Sequence, residues 1–351
     1  MINSLEFKLE DFFPIYTSVD EDTIDSNFEP LYNSVILKKE FDDTRSILNE
    51  PKPNRGEQLK HQAFMSRFMS PYTPYDKMIV FHGLGSGKSA TLFGVSEYAK
   101  LVKSGELSNN KIIVLTRNPT LRRGLMNELT CVVTEGKYEP PIRDEVTKEL
   151  LSKKAQRNRA EKKINVEYEV LTFTMFVKQI YNKSNDQLKI EYSNRYIIID
   201  EAHNIKLQPE KKKVKDEDDI ISLQLQTLNI SNYKEIHRLL HNVVGCKVLL
   251  LTATPMKDQP SEICNILNLI LPMNKQLDRK EFSKQFFEGE EFKDNQKEYF
   301  KSLLHSHVSY LRSSSTDISI INKGVISDDF NYMKTYSLPM EQEQSEKCTP
   351  R

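Results

Sequence analysis

The apolar run at residues 78–82 (MIVFH) passes without interruption into a glycine-rich loop and then into a stretch of helical composition. A buried strand, a tight turn and a helix is the arrangement this order favours. In the loop, Gly85 and Gly87 permit backbone conformations closed to other residues, so consecutive N–H groups can point inward at one anion. The helix that follows adds the positive end of its dipole. Lys88 supplies a point charge suited to β- and γ-phosphates, and the Ser89 hydroxyl can ligate Mg²⁺. Gly83, Leu84, Gly85, Ser86, Gly87, Lys88 and Ser89 are therefore the candidate nucleotide-binding residues, with ATP and Mg²⁺ as the expected ligands. His82 stands where the pattern GxxxxGK[ST] places its first glycine.

Four more short apolar runs punctuate the chain at residues 112–116, 168–172, 196–200 and 248–252. Each is nearly continuous rather than alternating, as expected of strands covered on both faces. Helical stretches at 89–103 and 121–130 separate them, so the pattern is successive βαβ units with right-handed crossovers. The expected fold is α/β with a central parallel sheet, 57–271, preceded by an extension at 1–56 and followed by a helical, then irregular, segment at 272–351. Two charged inserts interrupt it. Residues 143–163 hold eight basic side chains against four acidic ones, and residues 206–219 run from lysines to acids. A solvated helix or loop accounts for either; the positive excess makes the first the better candidate for contacting phosphates.

Two strand ends carry further chemistry. The run at 196–200 closes on Asp200 and Glu201, with His203 two residues on. Beside a phosphate loop, Asp200 would hold Mg²⁺ and Glu201 would orient and deprotonate an attacking water. The run at 248–252 ends in Thr252, Ala253 and Thr254, two hydroxyls able to report on the carboxylate–histidine loop.

Taken in this order, the three segments resemble superfamily II helicases of the DEAH/DExH type: motif I at 82–89, motif II at Asp200–His203, motif III at Thr252–Thr254. The resemblance implies a RecA-like P-loop NTPase domain with helical additions at both ends, and Lys88, Asp200, Glu201 and His203 as catalytic residues. It further implies that Gln62 reads adenine, that Thr252 and Thr254 couple hydrolysis to movement, and that Arg117 and Thr172 touch the nucleic-acid backbone. The 82–89 loop, Ser309–Arg312 and Met340–Gln344 look closer still to the helicase-like ATPases of large nucleocytoplasmic DNA viruses. That branch implies DNA rather than RNA, an intracellular setting in the virion or infected cytoplasm, and a viral RNA polymerase among the partners. No QxxGRxxR-type motif occurs, so a second RecA-like domain or partner subunit is expected to supply arginines, and these residues alone are expected to hydrolyse ATP poorly.

Composition narrows the alternatives. Lys plus Arg equals Asp plus Glu at 50 each, so any nucleic-acid surface must be local. The N-terminus has no apolar signal region, and no apolar run approaches membrane-spanning length. The cysteines (Cys131, Cys246, Cys264, Cys348) form no CxxC pair, which points to neither a disulfide framework nor a zinc site. The leading expectation is an ATP-driven translocase or helicase domain. The rivals are an ATP-switched transcription-factor subunit and a different P-loop enzyme such as a small-molecule kinase; the order of the three motifs argues against the last.

Overall fold

Continuous apolar runs become strands here because helices cover both faces of the sheet they form. The computed structural model describes Tyr16 and residues 35–45, 58–83, 85–102, 110–131, 134, 136–143, 149–205, 217–228, 230–256, 259–289, 291–311, 325–327 and 335–337. The strands are β1 (Lys77–His82), β2 (Ile112–Thr116), β3 (Tyr168–Thr172), β4 (Tyr196–Ile199), β5 (Lys247–Thr252), a small antiparallel pair β6 (Phe287–Glu288) and β7 (Glu291–Phe292), and β8 (Val308–Leu311). Six of them make one parallel sheet in the order β3-β2-β4-β5-β1-β8.

Alternate residues along each strand feed two separate cores. On one face Ile79, Ile113, Leu115, Ile197, Ile199, Val248 and Leu250 pack with Phe173–Ile180, Asn232–Asn242 and Ile263–Leu267. On the other, Met78, Val80, Ile112, Val114, Ile198, Leu249 and Leu251 pack with Lys60–Phe68, Lys88–Val102 and Pro119–Cys131. The result is the three-layer, RecA-like α/β domain that the sequence predicts. Among the described residues no helix is long and apolar enough to cross a membrane.

Strand β8 is the element the sequence does not announce. It lies on the edge of the sheet beside β1, with Ile79 opposite Val308 and His82 opposite Leu311. Val308–Leu311 are half-buried apart from exposed Tyr310, so this strand needs less apolar character than the buried strands beside it. The aromatic residues that precede it are core residues. Phe282 and Phe286 are buried, with Phe287, Phe292 and Phe300 against them. The hydrophobic interior therefore continues past Leu271 to the end of β8.

The basic insert is in part the helix Lys153–Glu167. Ser152 caps it, its hydroxyl accepting from the Ala155 N–H at 3.2 Å. Only Ala160 and Ile164 are buried, while Lys153, Lys154, Arg157, Lys162 and Lys163 are exposed. Residues 144–148 and 206–216, with Met340–Gln344, lie outside the described residues. The chain divides into Met1–Arg312 and Ser313–Arg351; in the second unit β9 (Val325–Ser327) and β10 (Thr335–Ser337) pair antiparallel.

Candidate nucleotide-binding site

Three neighbouring strand ends carry the candidate residues. In a parallel sheet all C-terminal ends emerge on one rim, and β4, β5 and β1 stand side by side. Phe81 in β1 is opposite Thr252 in β5, and Ile199 in β4 is opposite Leu250 in β5. One strand thus separates the phosphate loop from the acidic loop, a span of about 10 Å at ordinary strand spacing. Lys88 opens the helix after the β1 loop and Asp200 follows β4, so both lie at the same rim of the sheet.

The loop after β1 has the backbone that the glycines predict. Gly85 and Gly87 adopt φ of 79° and 76°, the left-handed region open to glycine. Gly87 is doubly constrained, because a Cβ there would sit 2.4 Å from Gln62 Nε2. The Ser86 hydroxyl donates to Gly83 O at 2.8 Å, and the Thr91 N–H to Gly87 O at 3.0 Å, closing the loop onto the helix Lys88–Val102. Leu84 lies outside the described residues.

Gln62, the expected adenine reader, lies against the phosphate loop. It is buried, its Nε2 donates to Gly87 O at 3.2 Å, and its Oε1 accepts from the Leu59 N–H at 2.9 Å. Both ends of the carboxamide are engaged by backbone, so Gln62 braces the phosphate loop from beneath while capping its own helix. His61 joins it, with Nε2 at 3.1 Å from Ser86 O.

His82, the departure from the glycine pattern, belongs to the strand rather than to the turn. It is 1% exposed, and its Nε2 meets the Ser309 hydroxyl of β8 at 3.0 Å. Its Nδ1 is buried without a protein partner. Burial, helped by the charges of His61 and Lys88, presses the imidazole down to about 4. Asp200 moves the opposite way: burial and the adjacent Glu201 push its carboxyl up to about 6.

These two shifts make opposed contributions to stability. Folded His82 takes up fewer protons than the unfolded chain, so its contribution is lost as pH falls from 6.5 towards 4. Folded Asp200 keeps its proton longer, so the fold is favoured as pH falls from about 6 towards 3.8. Each effect is about 3 kcal/mol at most. Relative to wild type without nucleotide, Asp200→Asn is expected to gain stability as pH rises from about 4 to 7, and His82→Asn to gain it as pH falls over the same span. Thermal melts in which both differences are flat with pH would contradict the assigned environments.

The acidic loop is bent sharply. Asp200 stays in the ladder, its N–H donating to Leu115 O at 2.8 Å, but Glu201 turns into the left-handed region at φ 51°, ψ 49°. A residue with a side chain pays for that conformation, and such strain concentrates at functional sites. His203 follows, with Nδ1 3.2 Å from Glu201 Oε2 and 2.9 Å from the Thr252 hydroxyl. That hydroxyl also accepts from the Thr254 N–H at 3.1 Å. The acidic loop and the end of β5 are thus directly bonded through His203 and Thr252.

The donor set suits magnesium. Asp200 is a buried carboxyl next to a second acid, so a divalent cation would offset the cost of ionising it. Ser89 opens the helix after the loop and offers a hydroxyl. Among the described residues no group of three or more His, Cys, Asp or Glu could form a metal cage. One carboxylate and one hydroxyl fit a cation that completes its shell with phosphate oxygens and water.

Of the two expected nucleic-acid contacts, the structure leaves Arg117 at the surface, immediately after β2. Thr172, the other, is a buried helix cap. It is 0% exposed, its hydroxyl accepts from the Met175 N–H at 3.1 Å and donates to Asp218, and it caps the helix Phe173–Ile180. Asn204 was not singled out by sequence; it bonds both His203 and Arg117.

The sequence pattern of the family described as "Type III restriction enzyme, res subunit" matches residues 55–257, more than half of the chain. The chain is 30% identical over 353 residues to a protein of Invertebrate iridescent virus 3 named as a helicase, 087L, covering 97% of this chain and 31% of that protein. It is 25% identical over 306 residues to a protein of Acanthamoeba polyphaga mimivirus named as an ATP-dependent RNA helicase, L377, covering 78% of this chain and 24% of that one. The chain therefore spans less than a third of the length of either relative. A solved structure of the Sulfolobus solfataricus SWI2/SNF2 ATPase core with dsDNA aligns at 19% identity and a TM-score of 0.45, over 75% of this chain and 46% of the other.

Proposed function

This chain belongs to the family of the Type III restriction enzyme res subunit, a helicase-type ATPase family, and from that membership we propose that it is the first motor domain of an ATP-dependent helicase or translocase. One observation carries the reading beyond a generic ATPase. The loop holding the hydrolytic acids is bonded through His203 to the Thr252 hydroxyl of β5, the strand that separates it from the phosphate strand. A change at the phosphates thereby reaches a second strand end directly, as a motor requires and a small-molecule kinase does not.

In this reading the loop N–H groups and Lys88 hold the phosphates, while Ser89 and Asp200 hold Mg²⁺. When bound, the metal supplies charge neutralisation between the β- and γ-oxygens. Glu201 orients the attacking water and takes its proton, with His203 3.2 Å away to fix the carboxylate's position. Thr252 and Thr254 transmit the result. Residues 57–271 carry this chemistry, and the segment beyond leads toward a second RecA-like domain or partner subunit.

Nucleic acid is gripped through its backbone, without reading sequence. Arg117 provides one contact and the helix Lys153–Glu167 a broader one. That helix leads into the start of β3, with Lys153, Lys154 and Arg157 exposed in its N-terminal half. Neutralising Lys153, Lys154 and Arg157 to Gln is expected to lower the slope of log affinity against log salt by about 2–3. An unchanged slope would remove the helix from the interface.

The viral sources of the relatives support work inside an infected cell or virion, with viral transcription as the process and its RNA polymerase as a candidate partner. DNA is the first substrate to try, although one relative carries an RNA-helicase name. An ATP-switched transcription-factor subunit is the rival within this setting. ATPase stimulation by single-stranded and duplex DNA and RNA, with strand separation assayed beside it, tests the proposal. No stimulation by any of them would overturn the motor reading, and stimulation without unwinding would favour the rival or a translocase.

A further inference from the structure

We propose that Asn204 is a positioning residue that sets the tautomer of His203 and ties the acidic loop to the nucleic-acid contact at Arg117; this rests on the motor reading above. The direction of each bond in the chain is forced by its neighbour. Arg117 Nη1 lies 3.2 Å from Asn204 Oδ1, and a guanidinium can only donate. The amide oxygen is therefore the end facing Arg117, which leaves Nδ2 facing His203 Nε2 at 3.0 Å. An amide nitrogen also only donates, so Nε2 must be the unprotonated, accepting nitrogen. The ring proton then sits on Nδ1.

A second contact, with Glu201, favours the same answer. Nδ1 is 2.9 Å from the Thr252 hydroxyl and 3.2 Å from a carboxylate oxygen of Glu201. A lone pair on Nδ1 would face that anionic oxygen and be repelled, whereas an N–H is attracted by both acceptors. With the proton on Nδ1, His203 donates to the Thr252 hydroxyl at the end of β5 and turns its N–H, not a lone pair, toward the Glu201 carboxylate. With the proton on Nε2, the Nδ1 lone pair would face the Glu201 carboxylate, and only the Thr252 contact would survive, reversed, with the hydroxyl donating.

Asn204 thus does for His203 what a carboxylate does for a catalytic histidine, from the opposite side: it donates, selecting the tautomer that points its N–H inward. Its other end is held by the side chain proposed to meet a phosphate. When Arg117 turns toward a phosphate, the amide loses the partner that orients it, and the hold of His203 on Glu201 and Thr252 changes with it. Nucleic acid and nucleotide are linked through that geometry, and linkage is reciprocal.

Two measurements test this on the full chain. Nitrogen-15 spectra of the imidazoles, with His203 assigned by its loss in His203→Gln, are expected to show Nδ1–H in wild type and Nε2–H in Asn204→Asp, since a carboxylate can only accept. An Nε2–H signal in wild type overturns the proposal whether or not any variant folds. In the second, a fluorescent oligonucleotide is titrated with and without a non-hydrolysable ATP analogue. The factor by which the analogue changes oligonucleotide affinity, ordinarily roughly 5–150-fold for coupled sites, is expected to fall to about 1 in Asn204→Asp and Asn204→Ala. Affinity for the analogue alone should stay within about threefold. Retention of the wild-type factor in both variants overturns the link. A wild type that binds no nucleic acid defeats the motor reading instead, and with it the link, while the imidazole spectra still decide the tautomer.

Discussion

Joined to a second RecA-like domain, residues 1–351 are expected to turn ATP over roughly 10³–10⁵ times faster than they do by themselves. The reason is charge. Developing charge on the γ-phosphoryl oxygens meets one ammonium here, Lys88, together with whatever metal Ser89 and Asp200 hold. Motors of this class add arginines from a QxxGRxxR-type motif, and these 351 residues contain none. Arg117, the arginine just past the neighbouring strand β2, is turned to Asn204, 3.2 Å away. The missing contribution is about 4–7 kcal/mol of barrier lowering. Affinity for ATP should change much less, since loop, Lys88 and Ser89 are already present. Single-turnover hydrolysis of the two forms at saturating ATP checks this; equal rates would mean that the site is complete without arginine.

Lys88→Ala is expected to weaken ATP binding by roughly 100-fold or more, as the loss of charge-assisted bonds worth about 3 kcal/mol implies. The fold should survive. Lys88 is half-buried at the start of its helix, where a cation is disfavoured by the dipole, so removing it costs the helix nothing. What changes is the balance on Asp200, whose carboxyl loses the charge that holds it down and rises further. Titration of a fluorescent nucleotide, with circular dichroism on the same samples, separates the outcomes. Wild-type affinity in a folded variant would disprove the assignment of the loop.

The central sheet was legible because its strands are buried on both faces, which forces nearly unbroken apolar runs such as IIVLT and VLLLT. β8 was not, because a half-buried strand is asked for far less: VSYL reads as well for a loop. His82 looked like a flaw in a glycine pattern for the same reason. Its meaning depends on Ser309, 227 positions away, and no local rule connects them. Gln62 and Thr172 show a different ambiguity. Each carries a second local signature, Gln62 three residues after the cap of its helix and Thr172 three before Met175, and that short-range capping claimed the side chain. Asn204 had no signature at all. An amide after a carboxylate–histidine motif is one of many residues that solvate a turn, and only the direction in which it donates distinguishes it.

The position of β8 has a mechanical consequence. This strand flanks the phosphate strand, with the Gly83 N–H bonded to Leu311 O at 3.1 Å and Ser309 bonded to His82. Tension on whatever follows Leu311 is borne along the strand axis, in shear, by a parallel ladder that must yield as a unit rather than unzip bond by bond. The same ladder delivers that load to the residues entering the glycine loop, so force and phosphate chemistry share one pair of strands.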